Sequence, residues 1–338
     1  MDVLIKSFNR PYYLDRCIYS IKKYCLAERI SIKILDDGTP KKYLDRIKEK
    51  YPDVSIVYSS SYKEKALFCE HKTSVVDWKI PADFWKSEAA KASDYFMLLE
   101  DDNWFMKPLQ INSIEQTLQS ENTILLKLLW LGNSKLISDQ FYKKDPEVHI
   151  YRPDLIIRNP QIYNLFFRRF KRKVFKSLFK FIGIDRFSLQ LHYYTIYSVA
   201  GAIYNRDYFC ALWDQNQQEV DESNQIFNAL QYLKKNRSNH KFTFANSSQE
   251  VMKTGFISSS TNSFKRHTQS KIDMFSFNNI LNEAWYEGAF NTTEDLSKDI
   301  SSYKIKCILA SSDISFEAWQ QWSNDFKDHY ASFGCQIA

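Results

Sequence analysis

Three consecutive acids, Glu100-Asp101-Asp102, are the residues of this chain whose types and spacing point most directly to chemistry. They follow an apolar run at residues 95–99 that predicts a buried strand. Neighbouring carboxylates repel one another and lose solvation on burial, so a folded protein usually pairs them or gives them a cation. Mg²⁺ is typically held by one or two carboxylates together with substrate phosphates. The sequence therefore predicts a divalent cation, Mn²⁺ or Mg²⁺, at the end of this strand.

Two further polar clusters follow predicted strands. Residues 3–8 indicate a first strand that ends at Ser7-Phe8-Asn9, and residues 30–35 indicate a second that ends at Asp36-Asp37. Helical patterns separate the strands, which favours a parallel sheet, and in such sheets ligands bind at the carboxyl ends of the strands. We predict an α/β fold with a mostly parallel twisted sheet flanked by helices and a less regular C-terminal region. The three clusters should surround one crevice.

The composition excludes several classes of site. The chain has 338 residues and only 7 glycines, and it contains neither G-x-G-x-x-G nor G-x-x-x-x-G-K-[ST]. Its 6 cysteines are scattered without a C-x-x-C pair, which makes a zinc site improbable. No segment has the pattern of a secretory signal, and no apolar run approaches the roughly 18 residues that span a bilayer. We therefore predict a cytoplasmic protein with reduced thiols.

The positive charge of the chain is local. The net charge is +6, whereas residues 162–187 contain eight Lys and Arg residues and one Asp. On a helical wheel their aromatic and basic residues fall largely on opposite faces, which is typical of helices in a membrane interface. Peripheral attachment to the anionic inner face of a membrane is our hypothesis, and a helix packed on the rest of the protein with a solvated basic face is the alternative. Nucleic-acid binding ranks below both because the rest of the chain is not basic.

Three motifs carry a resemblance to a known family. Residues 9–14 (N-R-P-Y-Y-L) resemble the "N-R-P-x-x-L" start of the family-2-like nucleotide-sugar glycosyltransferases of the GT-A fold. Residues 34–39 (I-L-D-D-G-T) look like their "V-D-D-G-S" element, and residues 99–102 (L-E-D-D) look like their "D-x-D" metal motif with Glu as the first acid. The likeness covers roughly residues 1–120. Beyond them, residues 201–206 (G-A-I-Y-N-R) are similar to a "G-x-x-x-R-R" segment.

The resemblance implies roles for individual residues. Asp37 would accept a hydrogen bond from uracil, Asp101 would face the ribose or the metal, and Asp102 would ligate the cation. Asp221 or Glu222 would be the general base, and His267 lies where some of these enzymes place a third metal ligand. Trp104 would touch the sugar, and Arg10 or Lys86 would neutralise diphosphate. The expected nucleotide-binding residues are Ser7, Asn9, Arg10, Asp36, Asp37, Lys86, Glu100 and Asp101.

The predicted function is metal-dependent, inverting transfer of a hexose or N-acetylhexosamine from a UDP-sugar to a glycan or lipid-linked acceptor in surface polysaccharide synthesis. Residues 1–122 would bind the donor, residues 123–272 the acceptor, and residues 273–338 would form a C-terminal helical region. The alternative is a non-catalytic module that docks on a membrane or a partner through residues 162–187. A nucleotidyltransferase is less favoured, since residues 7–10 lack the glycines that usually follow its first strand.

The acidic motifs also have purely structural explanations. Glu100-Asp101-Asp102 could be a solvated loop with a helix cap, and Asp36-Asp37-Gly38 could be a turn, because Asp-Gly pairs are good turn formers. Asp221-Glu222 could be the acidic start of an exposed helix. His267 could be a surface histidine.

Overall fold

A computed structural model describes residues 1–72, 79–169, 186–214, 220–236 and 241–337 of the chain. These residues form two compact units. Unit 1 comprises Met1, Ala82–Met97 and Gln110–Glu250, and unit 2 comprises Asp2–Pro81, Leu98–Leu109 and Val251–Ala338. Most of the basic segment predicted to be an amphipathic helix, at 170–185, lies outside the described residues.

The strands are short and follow one another along the whole described chain. They are β1 (Asp2–Ser7), β2 (Cys25–Leu26), β3 (Ser31–Asp36), β4 (Ser55–Tyr58), β5 (Tyr95–Glu100), β6 (Asn103–Phe105), β7 (Leu109–Gln110), β8 (Thr123–Lys127), β9 (Phe141–Lys144), β10 (Val148–Tyr151), β11 (Ala202–Asn205), β12 (Thr243–Ser247) and β13 (Met252–Thr254).

Helices alternate with these strands in the first part of the chain. The α-helices are α1 (Pro11–Tyr24), α2 (Lys41–Lys50), α3 (Tyr62–His71), α4 (Ala82–Ala89), α5 (Ile111–Ser120), α6 (Pro160–Tyr163), α7 (Arg186–Leu191), α8 (Arg206–Ala211), α9 (Glu222–Lys235), α10 (Met274–Tyr286), α11 (Ser302–Leu309) and α12 (Phe316–Ala331). A 3₁₀ turn at Ser263–His267 precedes α10.

Unit 2 contains strands in the order β4-β3-β1-β5, of which β4, β3 and β1 pair parallel. Val3 pairs with Ile32 and Ser7 with Asp36, so β1 and β3 end at the same level. Pro11 opens α1 at a position where its missing N–H has no cost. The predicted apolar face of this helix is buried as expected, including Cys17 and Ile18. The strand ends and the start of α1 are thus held on a packed core.

A two-stranded ribbon in unit 2 brings a distant segment to the acids. Strand β13 pairs antiparallel with β6, with Thr254 opposite Asn103. The ribbon leads to Gly255, whose N–H donates to the Asp102 carbonyl at 3.0 Å. A Cβ at Gly255 would lie 2.1 Å from the Tyr13 hydroxyl, so only glycine fits there.

Unit 1 contains strands in the order β11-β8-β12-β10-β9. Strands β8 and β12 are parallel, whereas β11, β10 and β9 pair antiparallel with their neighbours. The boundary between the units falls within β5.

The predicted fold class, an α/β fold with a large, mostly parallel sheet flanked by helices, is confirmed. Within the described ranges, no helix combines the length and the apolar character needed to cross a bilayer. The functional division near residues 122 and 272 stays a prediction.

Candidate nucleotide and metal site

The three polar clusters predicted at strand ends lie together in unit 2. The Asp37 N–H donates to the Ser7 carbonyl at 3.0 Å, and the Asp101 N–H donates to the Lys6 carbonyl at 2.9 Å. The Phe8 N–H donates to Asp101 Oδ2 at 3.1 Å. Parallel strands that end at the same level place these groups at one edge of the sheet. The juxtaposition predicted from the sequence pattern is therefore present.

Arg10 lies between the last two acids of the motif. Its Nη2 is 2.5 Å from Asp101 Oδ1, and its Nη1 is 2.8 Å from Asp102 Oδ2. The Arg10 side chain is only 7% exposed. Burial alone would lower the pKa of Arg10, but Asp101 and Asp102 outweigh burial and raise it well above its usual value. Arg10 is therefore a fixed cation, and one positive charge serves two buried carboxylates.

The three acids are not equally compensated. The pKa of Asp101 is raised to about 7, chiefly by burial. The charge of Arg10 opposes this rise, and the neighbouring charge of Asp102 adds to it. Burial also raises the pKa of Asp102, and Glu100 adds to the rise. Burial would likewise raise the pKa of Glu100, but an ion pair with Lys6 at 2.8 Å brings it below its usual value. The uncompensated negative charge is thus concentrated on Asp101 and Asp102.

Asp37 is held by a set of donors that sequence reasoning missed. Lys65 Nζ donates to Asp37 Oδ2 at 2.6 Å, and the Ser59 and Ser61 hydroxyls donate to Oδ1 at 2.5 and 3.0 Å. Ser59 and Ser61 follow β4, so a fourth strand end contributes to the same edge. The run of serines after a predicted strand, at residues 59–61, was the available signal.

Asp36 shapes the turn that presents Asp37. Its Oδ1 accepts from the N–H groups of Gly38 and Thr39 at 3.0 and 2.7 Å, and its Oδ2 accepts from the Thr39 hydroxyl at 2.7 Å. Burial raises the pKa of Asp36 to about 6, and these hydrogen bonds oppose the rise. The carboxylate of Asp36 therefore closes the turn.

Exposure separates the acids that can meet a ligand from those that support them. The side chains of Glu100, Asp102 and Asp37 are 38%, 12% and 11% exposed, whereas that of Asp101 is 2% exposed. Asp36 is fully buried. Direct contact with a ligand is therefore open to Glu100, Asp102 and Asp37, and the geometry gives Asp36 and Asp101 supporting positions.

This arrangement offers a divalent cation one carboxylate oxygen, Asp102 Oδ1. Both oxygens of Asp101 are engaged by Arg10 and Phe8, whereas Asp102 Oδ1 meets only the long 3.4 Å contact from the Asn103 amide within the described part of the chain. No group of three or more His, Cys, Asp or Glu side chains is placed to hold a metal among the described residues. One carboxylate oxygen combined with the phosphates of a nucleotide is an arrangement that Mg²⁺ accepts.

Among the other predicted nucleotide contacts, the Asn9 backbone and the Lys86 amine have structural partners. Asn9 adopts a positive φ of 52°, its N–H donates to the Thr39 hydroxyl at 2.9 Å, and the Asn282 amide donates to its carbonyl at 3.2 Å. Ser7 is buried at the end of β1. In unit 1, Lys86 Nζ donates to the Trp213 carbonyl at 2.8 Å. The roles of Ser7, Asn9 and Lys86 in nucleotide binding stay predictions.

The predicted base, Asp221 or Glu222, lies at the start of α9 in unit 1. Asp221 is the N-cap of this helix and accepts from the Asn224 N–H at 3.2 Å. Glu222 accepts a hydrogen bond from the Tyr194 hydroxyl. Near it, burial lowers the pKa of Lys127 to about 7, and the charge of Glu222 opposes that shift. The base role of either acid stays a prediction.

The structure also places Trp104 and His267, two ring-bearing residues that were expected in the site. Trp104, expected to touch a sugar, is 1% exposed, and its Nε1 donates to the Leu296 carbonyl at 2.8 Å, so the expectation is wrong. His267 packs with its ring centroid 5.6 Å from that of Phe264 and 5.0 Å from that of His329. Its role as a metal ligand stays a prediction.

No protein-family model and no curated protein matches this chain. Solved structures, in contrast, do show similarity to it. TarS residues 1–349 from S. aureus in complex with UDP-GlcNAc is 11% identical at a TM-score of 0.41, over 98% of this chain and 72% of that chain. Glucosyl-3-phosphoglycerate synthase from Mycobacterium tuberculosis, in complex with Mn²⁺, UDP-glucose and phosphoglyceric acid, is 13% identical at a TM-score of 0.30, over 61% of this chain and 56% of that chain.

Proposed function

We propose that this chain is a glycosyltransferase that transfers a hexose or N-acetylhexosamine from a UDP-sugar, with a divalent cation, to a glycan or lipid-linked acceptor. We propose inversion at the sugar, which the family resemblance and the presence of a candidate base favour. We further propose that the protein acts in surface polysaccharide synthesis. It would work in the cytoplasm or on the inner face of a membrane.

The charge balance at the strand ends of unit 2 carries the proposal. Five carboxylates (Asp36, Asp37, Glu100, Asp101 and Asp102) face three cations (Lys6, Arg10 and Lys65) through the ion pairs and turns described above. The cluster thus has two more carboxylates than cations, and burial raises the pKa of Asp36 to about 6 and that of Asp101 to about 7. Excess carboxylate charge in a buried cluster is costly, so a cation that arrives with a nucleotide diphosphate would relieve it.

Each protein group has a distinct task in this proposal. Asp37, fixed by Lys65 and two serines, offers its remaining lone pairs to the N3–H of uracil. Asp102 Oδ1 would hold the divalent cation, which acts as a Lewis acid on the departing diphosphate and is worth several kcal/mol by the general rule. Arg10 keeps Asp101 and Asp102 in place, so the cation meets a preorganised oxygen.

The acceptor hydroxyl needs a base because it is a poor nucleophile near neutral pH. A positioned carboxylate contributes typically about 10²–10⁴-fold to such a step. Glu222 is our first choice over Asp221, because the Asp221 carboxylate caps α9 whereas Glu222 meets a tyrosine hydroxyl. The transition state of sugar transfer is oxocarbenium-like, as in glycoside hydrolysis. The base would take the proton of the acceptor hydroxyl as its oxygen bonds to the anomeric carbon, and the diphosphate would leave with the electrons of the broken C–O bond.

A donor screen tests the proposal. Hydrolysis or transfer from several UDP-sugars is measured with Mn²⁺, with and without chelator, and UDP binding is followed by calorimetry. The variant Asp102→Asn should lose at least 100-fold in activity, whereas Asp53→Asn, at an exposed acid that pairs with Lys22, should retain it. Turnover by Asp102→Asn at the wild-type rate, or the absence of UDP binding with Mn²⁺, would contradict the proposal and favour a non-catalytic docking module.

A further inference from the structure

A basic cavity with an apolar wall lies in unit 1 and shares no lining residue with the acids of unit 2. Its volume is about 580 Å³, within the roughly 300–1,000 Å³ of ordinary ligand pockets. Two buried apolar side chains, Leu230 on α9 and Phe244 on β12, form part of its wall. The cavity therefore offers both volume and an apolar surface that is fixed by the core.

Four cationic side chains line the same cavity: Arg152, Arg158, Lys234 and Lys241. None of the described residues that line it is acidic. The nearest acid along the chain, Asp154, meets Arg158 at 3.5 Å, but both side chains are at least 70% exposed, so this pair is worth little. The cavity thus keeps an excess of positive charge.

Secondary structure fixes the backbone positions of three of these four cations. Arg152 follows β10, whose last residue, Tyr151, pairs with Phe244 of the cavity wall. Lys234 is in the last turn of α9, which also carries Leu230, and Arg158 precedes Asn159, the N-cap of α6. The guanidinium of Arg152 lies 5.4 Å from the centre of the Tyr142 ring, which restrains it. Three different elements therefore direct positive charge to one cavity.

We propose that this cavity binds a single amphiphile with a phosphate head. Arginine forks match phosphate oxygens in pairs, and the lysines add point charges, so the cationic lining suits a phosphate better than a neutral head. The apolar wall suits the first carbons of an alkyl or isoprenoid chain attached to that phosphate. This site is independent of the acids in unit 2 and does not require the chain to transfer a sugar.

Calorimetry with the full chain tests the proposal. The probe is dodecyl phosphate below the concentration at which it forms micelles, and the comparison ligands are inorganic phosphate and an uncharged dodecyl detergent. We expect one site with at least tenfold higher affinity for dodecyl phosphate than for either comparison ligand. Inorganic phosphate binding as tightly as dodecyl phosphate would overturn the proposal, because the apolar wall would then contribute nothing.

Two neighbouring lysines supply a matched pair of variants. Lys234→Glu should weaken dodecyl phosphate binding at least tenfold, whereas Lys235→Glu changes the same charge at the next, exposed position, which does not line the cavity, and should leave binding within twofold. Leu233→Gln, also in the lining, should weaken dodecyl phosphate but not inorganic phosphate. Equal losses in both lysine variants would overturn the proposal in favour of nonspecific charge attraction.

Vesicles distinguish a single bound amphiphile from a membrane surface. Phosphatidylglycerol and phosphatidylcholine vesicles are sedimented with the wild-type protein and with Lys234→Glu. Binding to phosphatidylglycerol vesicles without any binding of monomeric dodecyl phosphate would overturn the proposal and assign the cavity to a membrane interface. Saturable binding of monomeric dodecyl phosphate that Lys234→Glu abolishes would support it.

Discussion

Arg10 Nη1 lies 2.8 Å from Asp102 Oδ2, with both side chains largely buried. The same guanidinium also reaches Asp101, so the acidic motif carries its own cation before any ligand arrives. When one partner of a buried ion pair is removed, the other charge stays buried without compensation. This costs more stability than the intact pair contributes. Arg10 is therefore a structural requirement of the acidic edge, and it sets how much charge is left for a metal.

Replacing Arg10 by Met should destabilise the protein strongly. Removing one partner of a buried ion pair costs about 3–5 kcal/mol, and here two carboxylates lose their cation. Urea unfolding measures the loss. The matched control is Lys22→Met, which removes a cation from the exposed pair with Asp53 and should cost no more than about 1 kcal/mol. Similar losses in the two variants would contradict the assigned role of Arg10.

The variant Arg10→Met also tests how much negative charge is left for a metal ion. In the wild-type protein Mn²⁺ without nucleotide should raise the melting temperature little, because Arg10 already neutralises one of the two carboxylates. In Arg10→Met both carboxylates lose this cation, so Mn²⁺ should stabilise this variant more than the wild type. Differential scanning fluorimetry over a series of Mn²⁺ concentrations compares the two proteins, with Ca²⁺ as a second cation. No additional stabilisation of Arg10→Met by Mn²⁺ would contradict this account of the charge balance.

The strand ends could be predicted from the sequence because they depend on local pattern. An apolar run followed by acids predicts a strand and its polar end, and parallel pairing then brings such ends together, as Ser7, Asp37 and Asp101 show. The partners of those acids could not be predicted in the same way. Lys65 is 28 residues from Asp37, and nothing in the spacing indicates that α3 turns its amine toward that carboxylate. The burial of Trp104 likewise depends on the Leu296 carbonyl, which is 192 residues away in sequence.

Lys65→Met should weaken UDP binding. The Lys65 amine fixes Asp37 Oδ2 at 2.6 Å, and without it the carboxylate that would meet uracil loses its orientation and its counter-charge. We expect about a tenfold rise in the dissociation constant, which corresponds to about 1.4 kcal/mol. Calorimetry with UDP and Mn²⁺ measures it, and Lys63→Met, an exposed lysine on the same helix, is the control. Unchanged UDP affinity in Lys65→Met would contradict the proposed hydrogen bond between Asp37 and the uracil of the nucleotide.

Gly38→Ala should disturb the same carboxylate through the backbone. Gly38 has φ of +143°, and a Cβ there would lie 2.5 Å from Lys65 Cβ. Gly288 is a matched control, since it also has a positive φ of +77° but nothing within 4 Å of its added Cβ. Gly288→Ala should cost about 1 kcal/mol from backbone strain alone. Gly38→Ala should cost more, of order 1–3 kcal/mol on top, because its φ lies farther from the left-handed region and because packing must give way. Equal losses in urea unfolding would show that the turn tolerates the methyl group.

The buried Lys127 of unit 1 should make the free energy of unfolding depend on pH. The amine is buried and donates to the carbonyls of Tyr194 and Tyr197 at 2.8 and 3.0 Å, and a neutral amine has two N–H groups for these two acceptors. Burial lowers the pKa of Lys127 to about 7, whereas in the unfolded chain it is about 10.4. Between these values the unfolded state binds more protons, so the contribution of Lys127 to stability rises with pH.

The comparison of wild type with Lys127→Met isolates this group. The free energy of unfolding of the wild type minus that of Lys127→Met should increase by about 2 kcal/mol from pH 7 to pH 9, since a fully displaced proton contributes about 1.36 kcal/mol per pH unit. Every other titrating group cancels in the difference, and the lost hydrogen bonds add an offset that does not vary with pH. Lys135→Met, at an exposed lysine of unit 1, should give a flat difference. A flat difference for Lys127→Met as well would mean that Lys127 stays charged in the folded protein and that Glu222, rather than burial, governs its protonation.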